Sequence, residues 1–297
     1  MDNYYDNIKE LIIEDELYSK VKDYSKEKHR VSTNFKIGKI LNEAGGEYGE
    51  EIIKTYSIKL VKEVNKKYNE RTLRRMRQFY RRFNNIKWST MSTKISWSYY
   101  TELLPIKDDN EMMYYYNLCI NQYIDVRSLR KKIKNKEYDR LPKETVNKLV
   151  VNDKIDIKDL VPNPILIENR SYKEIISEKR LHHLISENIA DFLEELGNGF
   201  SFIKSEYPIK IDDRNNYIDI LLYNVLYHCY VVVELKITEL KKEHLGQIQV
   251  YMNYINENTK SIEDNDTIGI IICKEDNQYI IRFCSDNRII TRTYLLI

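Results

Sequence analysis

The amino-acid sequence predicts an α+β protein of two domains, an all-helical amino-terminal domain followed by an α/β domain with a central mixed sheet. Two features support this prediction. From Tyr4 to about Lys136, apolar residues recur at helical spacing with almost no strand-like alternation. After Ser171, helices and β-prone runs follow one another in the order αβββαββ.

The character of the sequence changes between the two halves. Pro142, Pro162 and Pro164 interrupt the apolar pattern there, and prolines mark turns and loops. The predicted boundaries are residues 1–150 for the helical domain, 151–170 for a linker and 171–297 for the sheet domain.

Composition limits the class of protein. The 297 residues are 42% apolar and 32% charged, which is typical of folded domains and excludes a disordered chain. The net charge is only +2, so attraction to nucleic acid would require local clusters of charge. Charges interrupt every apolar run before the roughly 18 residues of a membrane helix. The four cysteines lack metal-binding spacing and no signal-like segment opens the chain, so we expect a cytoplasmic protein.

The second half predicts a series of individual elements. These are a helix at Tyr172–Leu196 stopped by Gly197, one or two strands in Phe200–Ile211, strands at Tyr217–Tyr223 and Tyr227–Lys236 joined by a hairpin near Asn224, a helix at Glu239–Asn256, and strands at Thr267–Cys273 and Tyr279–Phe283.

Three charged residues interrupt the predicted central strands. Alternation places Glu234 and Lys236 on one face of their strand, and Asp219 is the single charge in the apolar strand before it. Buried charges are costly unless they pair or bind metal. Two carboxylates can hold a hard divalent cation, and a lysine can orient or deprotonate the attacking water or offset charge on a phosphate. One explanation of this pattern is phosphodiester hydrolysis by metal-activated water. A structural salt bridge between Glu234 and Lys236 is the alternative interpretation.

A helix between Arg71 and Phe83 has a basic face. Its polar side carries Arg71, Arg74, Arg75, Gln78 and Arg82, and its apolar side carries Leu73, Met76, Tyr80 and Phe83. This segregation suits phosphate contact and counterion release. A solvated amphipathic face is the alternative, and the face carries no information about base sequence.

Longer motifs resemble a known family. They are FLEELGNGF at 192–200, YIDILLY at 217–223, VELK at 233–236, GQIQVYMNY at 246–254, LRRMRQFY at 73–80 and ISWSYY at 95–100. Together they are similar to the YhcG family of bacterial proteins with a PD-(D/E)XK nuclease domain. Ile218 stands where the superfamily motif has proline, a residue that is often absent from this position.

The resemblance implies a restriction-endonuclease-like second domain and a winged-helix-like helical first domain. It implies a nuclease dependent on Mg²⁺ or Mn²⁺, in which Asp219 and Glu234 bind the metal and Lys236 completes the reactive group. Gln247 joins the catalytic residues, and Tyr251, one helical turn later, is placed to contact nucleic acid.

The first helix of such a domain supplies one more carboxylate, and two residues compete for this role. Glu187, in Glu187-Asn188-Ile189-Ala190, is similar to the ExxA pattern of related nucleases. Glu195 instead borders the apolar stripe of the helix and could reach the sheet. We favour Glu187 and keep Glu195 as the alternative.

The expected function is a bacterial nuclease that acts on DNA in preference to RNA, with the helical domain positioning nucleic acid. The alternative is a catalytically silent nucleic-acid-binding or assembly component of a bacterial defence or DNA-processing system. A homo-oligomer or a partner subunit is compatible with either interpretation.

Overall fold

The fold comes from a computed structural model that describes residues 2–20, 25–45, 49–84, 95–121, 124–151, 153, 156–169, 177–211, 213–282 and 286–297. The chain forms two compact units, Met1–Asn135 and Lys136–Ile297. Among the described residues, no helix combines the length and apolar character needed to cross a membrane.

The first unit is helical, as predicted. Its described helices are α1 (Asp2–Tyr18), α2 (Ser25–Gly45), α3 (Gly49–Glu63), α4 (Glu70–Phe83), α5 (Trp97–Leu103), α6 (Asp109–Asn121) and α7 (Val126–Lys134). No strand occurs in the described part of this unit, so the winged-helix-like detail rests on the family resemblance alone. Helix α5 ends at Leu103, because Pro105 disfavours helix in the residue before it.

Helix α4, which carries the basic face, is fixed against α2. Gly38 of α2 lies so close to α4 that a Cβ atom there would overlap the Met76 carbonyl. Glycine therefore permits a contact that any other residue would prevent. Asn69 caps the start of α4 by accepting a hydrogen bond from the Thr72 N–H at 3.1 Å.

The second unit contains a six-stranded mixed sheet between helices. Its elements are a 3₁₀ turn (Tyr138–Arg140), α8 (Lys143–Val151), α9 (Ile157–Leu160), β1 (Ile165–Ile167), α10 (Glu178–Glu187), α11 (Ile189–Leu196), β2 (Phe200–Ile211), β3 (Arg214–Asn224), β4 (Cys229–Glu239), α12 (Lys242–Asn258), β5 (Asn265–Glu275), α13 (Gln278–Arg282) and β6 (Ile289–Leu296). The strand order is β1-β6-β5-β4-β3-β2. Strands β1, β6, β5 and β4 are mutually parallel, and β3 and β2 are antiparallel additions. The predicted central mixed sheet is confirmed.

Each face of the sheet has its own apolar core. Val231, Val233 and Leu235 of β4 pack in the core beneath α10 and α11. Val232 belongs to the opposite core beneath α12. This alternation agrees with the predicted faces of β4 and places Glu234 on the α12 side.

The division between the units falls earlier than the sequence pattern indicates. Residues from Lys136 onward belong to the second unit, and β1 lies inside the segment 151–170 that we expected to be a linker. The reason is tertiary, because Ile165 and Ile167 are buried and β1 pairs in parallel with β6. A three-residue strand has too short a pattern to be recognised from sequence.

Two predicted elements require correction. The predicted strand Tyr279–Phe283 is instead helix α13 over its described residues, because the Asn277 side chain accepts from the Ile280 N–H at 3.2 Å and caps a turn. The predicted single helix Tyr172–Leu196 is broken at Asn188, which separates α10 from α11. Residues 172–176 of that prediction lie outside the described residues.

The strand pairing on both sides of β3 is interrupted at Asp219. The β3–β4 ladder ends at the pair Ile220 and Val233, and continuing it would pair Asp219 with Glu234. On the other side of Asp219, Glu206 of β2 has a left-handed φ of 49° and is absent from the β2–β3 ladder. Such a backbone is uncommon for a residue other than glycine. Both strands are therefore irregular at the level of Asp219.

The left-handed backbone at Glu206 predicts an unusual response to substitution. Glu206→Val should destabilise the second unit by about 1–2 kcal/mol, although valine ordinarily favours strands. Glu206→Asn should preserve stability, because asparagine tolerates this conformation. Urea unfolding measures both variants, with Lys210→Val as a control at an exposed position of the same strand. Equal effects of valine at positions 206 and 210 would contradict the prediction.

Candidate active site

Glu234 is the most deeply buried charged residue near the centre of the sheet. Only 2% of its side chain is exposed. Its Oε2 accepts a hydrogen bond from Lys236 Nζ at 3.2 Å, whereas its Oε1 is buried without a hydrogen-bond partner among the described residues. A buried acceptor without a partner is costly, so Oε1 requires a ligand or a function.

The Asp219 side chain supplies a hydrogen-bond acceptor to β4 where the β3–β4 ladder has ended. Two residues beyond Val233, the same register would pair Leu235 with Ile218, but the ladder has ended. The Leu235 N–H instead donates to Asp219 Oδ2 at 2.7 Å. This bond satisfies the backbone of β4 and holds the Asp219 carboxylate beside Glu234 and Lys236.

The electrostatics of the three groups are interdependent. Burial raises the pKa of Glu234, and the nearby Asp219 carboxylate raises it further. Burial also raises the pKa of Asp219, against the opposing effects of the Leu235 hydrogen bond and the Lys236 charge. For Lys236, burial disfavours the charged form, but Glu234 outweighs it and the pKa is raised. The predicted constellation of Asp219, Glu234 and Lys236 is thus assembled in one place.

This donor set fits a hard divalent cation. Carboxylate oxygens are the ligands that Mg²⁺ prefers, and Glu234 Oε1 is a buried oxygen without a hydrogen bond. In the described part of the chain, no three His, Cys, Asp or Glu side chains are grouped as a complete metal site. Magnesium ordinarily takes one or two carboxylates together with waters and substrate phosphates, so two carboxylates suffice.

Helix α10 brings two further residues to the site that the sequence reasoning missed. His182 Nε2 donates to the Asp219 carbonyl at 3.1 Å. The Glu178 carboxylate, in the first turn of α10, opposes ionisation of Asp219 and favours the charged form of Lys236. The sequence feature that could have identified these two residues is their i, i+4 spacing on one helix, next to the buried Leu181.

The structure gives the two expected helix carboxylates other environments. Glu187 is half exposed, and it contacts His183 at 3.1 Å and Arg180 at 3.9 Å. Glu195 forms an ion pair with Arg140, with 10% of each side chain exposed, and accepts the Leu166 N–H at 3.0 Å. Neither carboxylate is among the groups that shift the pKa of Asp219 or Glu234.

Gln247 and Tyr251 lie together on α12, as their spacing predicts. Gln247 Nε2 donates to the Tyr251 hydroxyl at 3.1 Å. Tyr251 is buried in the core on the α12 side, the side toward which alternation directs Glu234. The Gln247 carbonyl oxygen makes no hydrogen bond with a described residue.

The predicted basic face of α4 is only partly available for ligands. Arg71 is exposed and Arg75 is half-buried, and neither has an ion pair or hydrogen bond with a described residue. Arg74 forms a salt bridge with Glu70. The Arg82 guanidinium binds the carbonyls of Leu104, Ile106 and Lys107 and the carboxylate of Asp109. Gln78 likewise donates to the Leu104 carbonyl at 2.8 Å. Arg82 and Gln78 therefore hold the end of α5.

Two family matches together cover most of the chain. Residues 158–295 match the family described as YhcG PDDEXK nuclease domain, and residues 9–140 match the DUF1016 N-terminal domain. The chain is also 24% identical to the curated protein "Putative nuclease YhcG" of Escherichia coli (strain K12). That similarity covers 78% of this chain and 73% of the relative.

Two solved structures are similar to part of the chain. One is the crystal structure of a repair endonuclease from Pyrococcus abyssi, with 20% identity, a TM-score of 0.30, and coverage of 41% of this chain and 49% of that chain. The other is the EndoMS–dsDNA2 complex, with 20% identity, a TM-score of 0.32, and coverage of 42% and 48%. The chain thus spans about half the length of each.

The Arg140–Glu195 pair predicts a stability effect. Arg140→Ala should destabilise the second unit by about 3–5 kcal/mol, because it leaves the Glu195 carboxylate buried without its cation. Arg140→Met combined with Glu195→Gln should recover most of the loss, because glutamine can still accept the Leu166 N–H. Denaturant unfolding measures both variants. Equal stability of the single and double variants would contradict a role for the ion pair.

Proposed function

Because this chain belongs to the YhcG family of proteins with a PDDEXK nuclease domain, we propose that its second unit is a metal-dependent nuclease that hydrolyses phosphodiester bonds in DNA. One observation carries the metal dependence. Glu234 Oε1 is buried without a hydrogen bond beside Asp219, and a bound Mg²⁺ or Mn²⁺ would satisfy it.

The residues of the site have separable roles in this proposal. Asp219 and Glu234 hold the cation, and the Leu235 N–H fixes the Asp219 carboxylate so that it does not rotate away. Lys236 offsets negative charge that develops on the phosphate and orients the attacking water. Gln247 presents its carbonyl oxygen to that water or to the nucleotide. The bound metal supplies activation of water and polarisation of the phosphate.

Glu178 takes the place that we expected Glu187 or Glu195 to occupy. It lies one helical turn before His182, whose ring donates to the Asp219 carbonyl, and its charge raises the pKa of both Asp219 and Lys236. Glu195 is committed to Arg140, and Glu187 is paired on the solvent side of α10. We therefore assign the helix carboxylate of the nuclease site to Glu178, with His182 positioning the backbone of Asp219.

The helical unit contributes a phosphate-binding surface in this proposal. Arg71 and Arg75 have no partner among the described residues, and the exposed Lys62 and Lys66 extend the positive charge along the end of α3 and the following turn. Such a surface binds the nucleic-acid backbone and releases counterions. Arg82 is left out of this surface because its contacts hold α5 in place.

The central test is cleavage with and without the catalytic residues. The purified chain should cleave at least one of plasmid, linear duplex, single-stranded or structured DNA with Mg²⁺ or Mn²⁺, and EDTA should stop it. Asp219→Asn and Lys236→Ala should each slow cleavage by about 100-fold or more, because each removes a group that acts on the reacting phosphate or its metal. RNA of the same sequence tests the preference for DNA.

Lys242→Ala is the matched control, since Lys242 is an exposed lysine at the start of α12. Wild-type rates for Asp219→Asn and Lys236→Ala would refute their assignment. Salt-dependent DNA binding without cleavage across all metals and substrates would instead favour a catalytically silent binding component.

Glu178 and Glu187 provide a matched pair on one helix. Glu178→Gln should reduce cleavage by about 10–100-fold, the effect typical of groups that support metal ligands. Glu187→Gln makes the same chemical change at a half-exposed position and should leave the rate within about twofold. A larger loss for Glu187→Gln would restore the assignment made from sequence.

The basic surface predicts a change in the salt dependence of binding. Charge reversal at Arg71 and Arg75 should weaken DNA binding and reduce the slope of log K against log salt by about 2, because two phosphate contacts are lost. Reversal of Lys26 and Lys28, which are exposed on α2, changes net charge equally and serves as the control. Equal losses for the two double variants would show a general charge effect rather than a defined surface.

A further inference from the structure

An open groove of about 840 Å³ lies between α12 and the adjoining ends of β2 and β3. Its walls include Arg214 and Asn216 from β3 and Gly246, Gln247 and Val250 from α12. The volume lies within the roughly 300–1,000 Å³ of pockets that enclose small organic groups.

Gly246 is unusual because packing does not require a glycine there. A Cβ atom at Gly246 would meet no atom of a described residue within 4 Å. The same atom at Gly269 would lie 2.7 Å from Met252 Sδ, so a side chain there would force Met252 and Ile248 of α12 to shift. Glycine inside a helix costs about 1 kcal/mol relative to alanine. At Gly246 no contact with a described residue offsets this cost. The lack of a side chain leaves this wall of the groove open.

The groove presents polar atoms that the protein does not use. Gln247 Oε1 and Asn216 Oδ1 make no hydrogen bond with a described residue. The Arg214 guanidinium is exposed and has no carboxylate partner in the described part of the chain. Two amides and one guanidinium thus face the groove, which provides both donors and acceptors.

These groups match a nucleobase better than a phosphate alone. Ile211 and Val250 supply apolar walls for the faces of a base, and side-chain amides can pair with its edge. Asp213 on the rim would repel a phosphate but can accept from the amino group of a base. Arg214 can then bind the phosphate that connects the base to its strand.

We propose that this groove receives one unpaired nucleotide of the nucleic-acid strand next to the cleaved bond. This inference rests on the proposed function and names its substrate class, a single strand or a duplex with an extrahelical nucleotide. Asn216 precedes Asp219 by three residues on the same strand, which is about 10 Å. A base in the groove therefore lies within a few nucleotides of the reactive carboxylate. A base paired within a duplex cannot enter, because its Watson–Crick edge is occupied by its partner and its faces are stacked between neighbouring bases.

Two substitutions at Gly246 isolate the effect of filling the groove. Gly246→Ala and Gly246→Leu both remove the helical cost of glycine, and alanine and leucine have similar helix propensity. Only leucine extends beyond the Cβ atom into the groove, and no described atom lies within 4 Å of that Cβ position. Thermal unfolding should show both variants at least as stable as the wild type.

Binding is measured with Ca²⁺ in place of Mg²⁺, using a fluorescein-labelled 12-nucleotide single strand, its blunt duplex, and the same duplex with one extra 2-aminopurine nucleotide. Gly246→Leu should weaken binding of the single strand and the bulged duplex by about tenfold or more relative to Gly246→Ala, as expected when one base loses its site. Blunt-duplex binding should change by less than about twofold. The 2-aminopurine emission should change on binding to Gly246→Ala and not to Gly246→Leu.

Three outcomes would overturn the proposal. Equal affinities of the leucine and alanine variants for the single strand would show that the groove is not used. If Gly246→Leu weakened binding of the blunt and the bulged duplex equally, the groove would contact DNA in general and would not recognise an unpaired nucleotide. Displacement of the labelled strand by free dTMP at low micromolar concentration would identify a mononucleotide as the ligand. Since binding is measured without turnover, absence of nuclease activity would leave this test intact, and a used groove would not by itself establish cleavage.

Discussion

The hydrogen bond from the Leu235 N–H to the Asp219 carboxylate is the interaction on which the proposed chemistry depends. The β3–β4 ladder ends one pair before Asp219, so a backbone donor of a central strand would otherwise lack its partner. Asp219 supplies that partner with its side chain. This one hydrogen bond therefore satisfies the Leu235 N–H and fixes the orientation of the Asp219 carboxylate. At the same level, the left-handed backbone of Glu206 interrupts the β2–β3 ladder on the other side of β3.

The surrounding sheet explains why these charges are held so firmly. Val231, Val233 and Leu235 fill one core and Val232 the other, so the backbone of β4 cannot move to relieve the buried Glu234. A buried carboxylate oxygen without a hydrogen bond reduces the stability of the folded chain, and a bound cation would recover that loss. In a site of this kind the buried charged groups lower the stability of the folded chain, but they are held in fixed positions before a ligand binds.

Charged residues that look alike in the sequence have very different roles in the structure. Glu195 and Glu178 lie on neighbouring helices, but Glu195 is paired with the buried Arg140, whereas Glu178 acts on Asp219 and Lys236. Arg82 lies on the same helix face as Arg71, yet its guanidinium binds three backbone carbonyls and Asp109. Periodicity gives the direction of a side chain from its own helix, but the partner that it meets comes from another segment.

The sequence by itself determined the helical first unit, the mixed sheet, the alternation of β4 and the placement of Asp219, Glu234 and Lys236 on neighbouring central strands, because these follow from local periodicity and ordered motifs. It also determined the pairing of Gln247 with Tyr251 one turn apart. Only the tertiary structure decided that β1 joins the sheet, that His182 contacts the Asp219 backbone, and that Gly246 borders an open groove. Each of these depends on contacts between segments distant in the chain, for which the pattern of a single segment carries no information.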